Sequence, residues 1–180
     1  MADANTQVNL DALHDAIEAQ IATAFPAFQT VEFYRDNEDE RIPTPACLLE
    51  LAEAEPAHDA NAGTGQWPAR LRFEARIIMS ARSAGAKLEI RKAAIALATW
   101  LNLRRFTGIR SDECHVIACE RDEFTPTRDN LECWRVEWML LAFLGDSAWN
   151  NSGGVVPTNV YFSFAPRIGE AHEDDYERAV

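Results

Sequence analysis

The chain has 180 residues and a mass of 20.2 kDa, and 47% of its residues are hydrophobic, so it can bury the core of one globular domain and is neither disordered nor fibrous. Its 17 Lys and Arg against 29 Asp and Glu give a net charge of −12, which argues against a general affinity for nucleic acid, because binding phosphates requires clustered positive charge. No apolar run approaches the roughly 20 residues that cross a bilayer, and residues 1–9 lack the basic and apolar segments of a secretion signal, so we expect a cytosolic chain without membrane contact.

Apolar residues recur at three- and four-residue spacing near the N-terminus, which predicts an amphipathic helix over residues 10–25. The recurring positions are Leu10, Leu13, Ile17 and Ile21. Asn9 is placed to cap this helix, and Pro26 ends it, since the residue before a proline is driven away from helical angles. A short strand is predicted over residues 31–35, and residues 1–8 are expected to be flexible.

Two exposed loops flank the next predicted strand. Residues 36–45 combine acids with two prolines, and residues 53–67 contain acids, Pro, Gly and Asn, so neither stretch has the composition of a packed element. Residues 46–51 between them form an apolar run of strand length.

The strongest strand pattern covers residues 69–79, where apolar and charged side chains alternate. This period predicts a β-strand with one buried face and one solvent-exposed face. A longer helix is predicted over residues 87–105, because a stretch rich in Ala, Leu, Lys and Arg places apolar residues along one stripe. The stripe consists of Ile90, Ala94, Leu97 and Leu101.

The second half of the chain predicts a hairpin of strands at residues 114–120 and 131–144, followed by a late strand at 160–164. The element order α-β-β-β-α-β-β, with this late addition, predicts an α+β fold in which two main helices pack on a mixed or antiparallel sheet. We expect a single domain over residues 9–168 and an acidic, flexible tail over residues 169–180.

The usual signatures of catalysis and metal binding are missing from the sequence. It contains no phosphate-binding loop, no nucleophile elbow and no zinc-protease helix. The nearest alternatives are two pairs at helical spacing, His14 with Glu18 and Glu55 with His58, which could form a surface base–acid pair or half of a metal motif. The remaining alternative is a short cysteine and histidine cluster, which lacks the second ligand pair of a structural zinc site. Its members are Cys114, His115 and Cys119. We therefore predict no catalytic, cofactor or metal site, and free thiols at all four cysteines.

The tryptophans predict either a core or a partner contact. Trp134 and Trp138 share one face of a strand with other apolar residues, which favours core packing over a ligand pocket. Trp67 and Trp149 lie among loop residues, so they are the better candidates for anchoring a partner.

Over residues 9–144 the chain resembles a tail terminator, or tail-completion, protein of a long-tailed bacteriophage or prophage. The resemblance lies in the N-terminal helix running into the first strand, in the Ile-Pro-Thr-Pro loop before Cys-Leu-Leu-Glu-Leu at 47–51, and in Arg-Leu-Arg-Phe-Glu-Ala-Arg-Ile-Ile at 70–78 before the second helix. It implies a ring, usually hexameric, that caps the head-proximal end of the tail tube, stops tube polymerisation and offers a surface for head–tail joining. The implied partners are further copies of the chain, the tail tube protein and a neck or connector protein.

The resemblance also implies a virion tail component that assembles in the host cytoplasm, with DNA passing through the ring without specific binding. No family residue role is carried over. Two alternatives remain: a neck or connector (head-completion) protein, which would bind the head portal instead of the tube, and a small cytosolic enzyme, supported only by the histidine pairs.

Charge is distributed unevenly along the sequence, since residues 70–105 are strongly basic and the rest is acidic. A solvated polar face explains this, and so does a head-to-tail contact in which a basic face of one copy meets an acidic loop of the next. The predicted contact sets Arg70, Arg72, Arg76, Lys87 and Arg91 against Asp36, Glu38, Asp39 and Glu40 of a neighbour.

Overall fold

The structure is a computed structural model, and it describes residues 8–35, 42–82, 84–122, 131–148 and 161–178. The chain divides into two compact units, Met1–Ala148 and Trp149–Val180. The predicted single domain ran to residue 168, and that limit stays a prediction. Within the described ranges, no helix is both long enough and apolar enough to span a membrane.

The first unit confirms the predicted α+β class and, in outline, the predicted order of elements. Two helices accompany five strands in this unit, with a short 3₁₀ turn at His58–Ala60. The helices are α1 (Leu10–Ala24) and α2 (Ala86–Leu101), and the strands are β1 (Thr30–Phe33), β2 (Ala46–Pro56), β3 (Trp67–Ser80), β4 (His115–Arg121) and β5 (Leu131–Leu144).

The five strands form one mixed sheet in the order β1-β2-β3-β5-β4. The first two strands pair in parallel and all other neighbours pair antiparallel. The pairing of β3 with β5 runs without a shift from Trp67 opposite Leu144 to Ser80 opposite Leu131. These two long central strands therefore set which side chains lie together on each face of the sheet.

Local chemistry fixes the ends of the helices. The side chain of Asn9 accepts a hydrogen bond from the amide of Ala12, as expected of an N-cap. The prediction that α2 reaches residue 105 is wrong, because Asn102 is extended and Leu103 has a φ of +62°. The amide of Leu103 donates to the carbonyl of Cys114, so the chain leaves the helix to pair with the segment before β4.

The prediction of a loop from residue 53 is also wrong at its start, because β2 continues to Pro56. A bulge between Leu51 and Glu53 shifts the register, after which Glu53 lies opposite Arg72 and Glu55 opposite Arg70. Pairs of opposite charge across β2 and β3 thus accompany this extension of β2. The acidic composition of the segment had predicted a loop.

Both helices pack on the same face of the sheet. The apolar residues of β3 lie in one buried cluster with residues of α1 and α2, including Ile17 and Leu97. Inside this cluster the rings of Phe73 and Trp138 stack with their centroids 5.6 Å apart. Trp138 is fully buried, which confirms its predicted place in the core.

The opposite face is named here the open sheet face, because neither α1 nor α2 lies on it. It is lined by the alternate residues of β3, from Arg70 to Ile78, and by their cross-strand neighbours on β2 and β5. The described part of the first unit therefore has two layers, with α1 and α2 on one side of the sheet.

The second unit consists of a two-stranded ribbon of β6 (Tyr161–Phe162) with β7 (Glu177–Arg178) and a 3₁₀ segment at Glu170–Asp175. The late strand predicted at 160–164 is present in shortened form as β6. The stretch predicted as a flexible tail from residue 169 contains the 3₁₀ segment and β7. An open cleft of about 550 Å³ lies within this unit, lined by Tyr161, Gly169, Glu170, Glu173 and Tyr176.

Candidate interaction surface

The structure divides the predicted basic surface between two sides of the molecule. The three arginines of β3 lie on the open sheet face, whereas Lys87 and Arg91 belong to α2, which packs on the other face. The predicted acidic partners, Asp36, Glu38, Asp39 and Glu40, lie outside the described residues. The five predicted basic residues therefore do not form one continuous patch on a single copy.

Each β3 arginine on the open sheet face has a carboxylate partner within the same chain. Arg70 bridges to Asp59 at 2.7 Å, and its hydrogen bond holds the pKa of that carboxyl below its usual value. Arg72 forms an ion pair with Glu53, which lies opposite it on β2. The contact of these arginines with a neighbouring copy stays a prediction, and such a contact would form against side chains that are already paired.

Four charged residues form a block at the centre of the open sheet face, named here the charged square: Glu74, Arg76, Arg135 and Glu137. Glu74 lies directly opposite Glu137, and Arg76 directly opposite Arg135. Each carboxylate bonds the arginine two residues away on its own strand, at 2.8 Å in β3 and 2.9 Å in β5. Both glutamates are only 8% exposed, so these charges are held in place by packing as well as by pairing.

Three further carboxylates surround the charged square. Glu50 of β2 lies 2.8 Å from Arg76, Asp122 lies 3.3 Å from it, and Glu120 of β4 lies 2.7 Å from Arg135. Burial acts to lower the pKa of Arg76, but the hydrogen bond to Glu50 and the neighbouring acids outweigh burial and raise it. The carboxylates therefore hold this guanidinium in its charged form.

Carboxylates outnumber arginines on the open sheet face. The carboxylates are Glu50, Glu53, Glu55, Asp59, Glu74, Glu120, Asp122 and Glu137, and the arginines are Arg70, Arg72, Arg76 and Arg135. The face that the sequence predicted as basic is thus acidic once its cross-strand neighbours are included. The prediction could not include them, because strand register is not visible in a local pattern.

Apolar patches lie at both ends of the charged square. At one end, Ala46, Ile78 and Cys133 form a small buried cluster, with Ile42 and Leu48 partly buried against it. At the other end, three half-buried apolar residues follow one another along β5 on the same face: Met139, Leu141 and Phe143. Along β5 the open sheet face therefore runs from apolar to charged to apolar, and at the Met139–Phe143 end the neighbouring positions of β3 hold the ion pairs of Arg70 and Arg72.

The outward side of α2, named here the α2 outer face, has the opposite charge. Leu88 and Ile95 are 58% and 57% exposed, although both are large aliphatic side chains. Lys92 lies between them and pairs with Glu89, while the guanidinium of Arg91 lies 5.0 Å from the centroid of the Trp134 ring. The sequence pattern did not single out these two aliphatic residues, because the helical period marks only the buried stripe of α2.

The two predicted anchoring tryptophans have different outcomes. Trp67 is 44% exposed at the start of β3, opposite Leu144, and its contact with a partner stays a prediction. Trp149 lies outside the described residues.

Of the two histidine pairs considered for chemistry, the one at His14 has other hydrogen-bond partners in the structure. The ring of His14 contacts the carbonyl of Leu10 through Nδ1 at 2.6 Å and the hydroxyl of Tyr34 through Nε2 at 2.9 Å. The same hydroxyl accepts a hydrogen bond from the amide of Leu51 at 3.3 Å. Because Nδ1 faces a carbonyl, it carries the proton, and Nε2 accepts from Tyr34. This chain of bonds ties α1 to β1 and β2.

Candidate metal ligands do not converge in the part of the chain that the structure describes. No group of three or more His, Cys, Asp or Glu residues there could hold an ion. All four cysteines are free thiols, and burial raises the pKa of Cys47 and of Cys114 to about 12.

Within the described residues of the first unit, these features define a two-layer α+β domain with a basic helical face and an acidic sheet face that α1 and α2 do not cover. No family model matches the sequence, and no curated protein matches it.

Proposed function

We propose that this chain is the subunit of a ring, hexameric in the resembled family, that caps the head-proximal end of a bacteriophage tail tube. In this role the ring ends tube polymerisation and offers a surface for joining the head. The proposal rests on the resemblance of element order over residues 9–144 and on the geometry of the sheet.

The observation that carries the proposal is the open sheet face. A two-layer domain that leaves a sheet uncovered keeps a broad, flat surface on which another protein can pack. Here ion pairs already fix the charged side chains, and Glu74 and Glu137 are almost buried. A partner that docks on such a surface orders few additional side chains, so less conformational entropy is lost on binding.

The overall charge also supports a ring around a channel. DNA that passes through a tail meets the inner wall of every ring, and basic side chains there would bind its phosphates. A net charge of −12 favours repulsion over a range of about 8 Å at physiological salt, so the DNA can pass without being held.

The test is assembly of the purified chain, alone and with purified tail tube subunits. We expect rings in negative-stain micrographs, and tubes that stop growing when the rings are added. A neck or connector protein would also form rings but would leave tube growth unchanged and bind the head portal. Isolated particles of 20.2 kDa that do not alter tube growth would contradict the proposal.

A further inference from the structure

We infer that the α2 outer face of one copy packs against the open sheet face of the next copy, in a head-to-tail contact. The inference rests on the proposed function in one respect, namely that the chain assembles with itself. It replaces the predicted contact, in which the β3 arginines together with Lys87 and Arg91 meet the acids at 36–40, with a contact between two faces that the structure describes.

The α2 outer face has the composition of a docking surface. Leu88 and Ile95 are seven residues apart, so they lie two turns apart on the same side of the helix. Both are more than half exposed, and Arg91 and Lys92 lie between them in the sequence. Along its axis the helix therefore presents an apolar, a basic and again an apolar group.

The open sheet face offers the opposite charge and apolar patches beside it. Its central charged square and the carboxylates around it are flanked by the patch at Ile78 and Cys133 and by the patch at Met139 to Phe143. Leu88 and Ile95 lie about 10 Å apart along the helix, and the Met139–Phe143 patch is about 13 Å long along β5, so this one patch can receive both while the basic residues of the helix approach the excess carboxylates. Such complementarity selects the register of a contact and disfavours wrong ones.

Charge also argues against a symmetric pairing of like faces. Two α2 outer faces would bring Lys87, Arg91 and Lys92 of both copies together, and two open sheet faces would bring together two acidic surfaces. Like charges across an interface are unfavourable, so the helix-to-sheet contact is the favoured combination. Because the two faces lie on opposite layers of one subunit, the contact repeats from copy to copy and closes into a ring if the rotation permits.

The test uses one variant for each face. Leu88→Gln with Ile95→Gln removes the apolar groups of α2 and keeps good helix formers at exposed positions. Glu50→Lys with Glu120→Lys reverses two charges on the open sheet face. The ion pairs of Arg76 with Glu74 and of Arg135 with Glu137 remain in this variant. A control, Asp15→Lys with Glu18→Lys on α1, changes the net charge by the same amount as the sheet variant. Circular dichroism and urea midpoints verify that every variant is folded.

We expect each face variant to be monomeric by native mass spectrometry at concentrations where the wild type and the control assemble. Loss of two aliphatic contacts should weaken the helix-to-sheet contact by about a hundredfold or more. Mixed in equal amounts, the two variants should form a dimer that grows no further, since one intact helix face then meets one intact sheet face.

Other results overturn the inference. If either face variant alone forms the wild-type oligomer, or if the mixture stays monomeric, the contact is not between these faces, while the proposed ring function stands. If the wild type itself is monomeric and has no effect on tube growth, the proposed function fails together with the inference.

Discussion

Glu74 and Glu137 lie directly opposite each other on adjacent central strands, and each is only 8% exposed. Two like charges in this position destabilise a sheet unless cations lie beside them. Arg76 and Arg135, which also lie opposite each other, supply those cations from the next pair of positions on the same face. The arrangement keeps a buried charge cluster at the surface where we propose that a second copy docks.

Arg70 and Arg76 of β3 should differ in their contribution to stability, although each side chain is 36% exposed. Arg76→Met should lower the free energy of unfolding by about 2 to 3 kcal/mol, because it leaves the carboxylates of Glu74 and Asp122 without this cation. Arg70→Met should lower it much less than Arg76→Met, since its partner Asp59 is exposed and solvent screens the pair. Urea unfolding followed by circular dichroism measures both, and equal losses would contradict the account.

The stacked pair in the core gives a second prediction. Phe73→Ala should lower the free energy of unfolding by about 3 to 5 kcal/mol, because it opens a cavity beneath the fully buried Trp138. Leu88→Ala, at a 58% exposed position of the same unit, should change it by less than about 0.5 kcal/mol. A mild effect at Phe73 would mean that the helices do not cover this face as described.

The hydroxyl of Tyr34 should contribute to stability in a pH-dependent way. Tyr34→Phe removes its bonds to His14 and to the amide of Leu51, at a cost of about 1 to 2 kcal/mol near neutral pH. Burial raises the pKa of Tyr34 most, and the charge of Glu50 adds to this, while the bond from Leu51 acts in the opposite direction.

The sign of the pH effect follows from the raised pKa. The unfolded chain loses the tyrosine proton first as the pH rises through about 10, so folding stability is full below that value and falls above it. Urea unfolding between about pH 9 and pH 11 should therefore show a steeper loss in the wild type than in Tyr34→Phe. Parallel curves would show that folding does not raise the pKa of this hydroxyl.

The cysteines should react with thiol reagents in an order set by burial. Cys47 and Cys114 are buried and their pKa is raised to about 12, so almost no thiolate forms at pH 8. Cys119 is half-buried, and burial raises its pKa too, so it should react slowly but ahead of these two. Labelling with mass spectrometry in buffer and in urea distinguishes them, and rapid labelling of Cys47 in buffer would contradict the described packing.

The sequence predicted those features that depend on local periodicity. Alternation along residues 69–79 separated the buried Phe73 from the outward Arg72, and the spacing of Leu13 and Ile17 predicted α1. Asn9 was predicted correctly as a cap because its bond lies within one turn of the helix.

Features that depend on register and on long-range contacts could not be predicted in this way. The pairing of Arg72 with Glu53 depends on the β2 bulge, and the end of α2 depends on the bond between Leu103 and Cys114. The exposure of Leu88 and Ile95 depends on which side of α2 the sheet covers. A local pattern contains none of this information, so the arginines looked like a basic face when they are part of an acidic one.

The mass of the assembled wild-type protein tests the central claim most directly. Native mass spectrometry should find one closed oligomer, close to six times 20.2 kDa for a hexamer, which Leu88→Gln with Ile95→Gln reduces to the folded monomer. A wild type that stays at 20.2 kDa across the accessible concentration range, alone and with tube subunits, would contradict the claim that this chain works by packing against copies of itself.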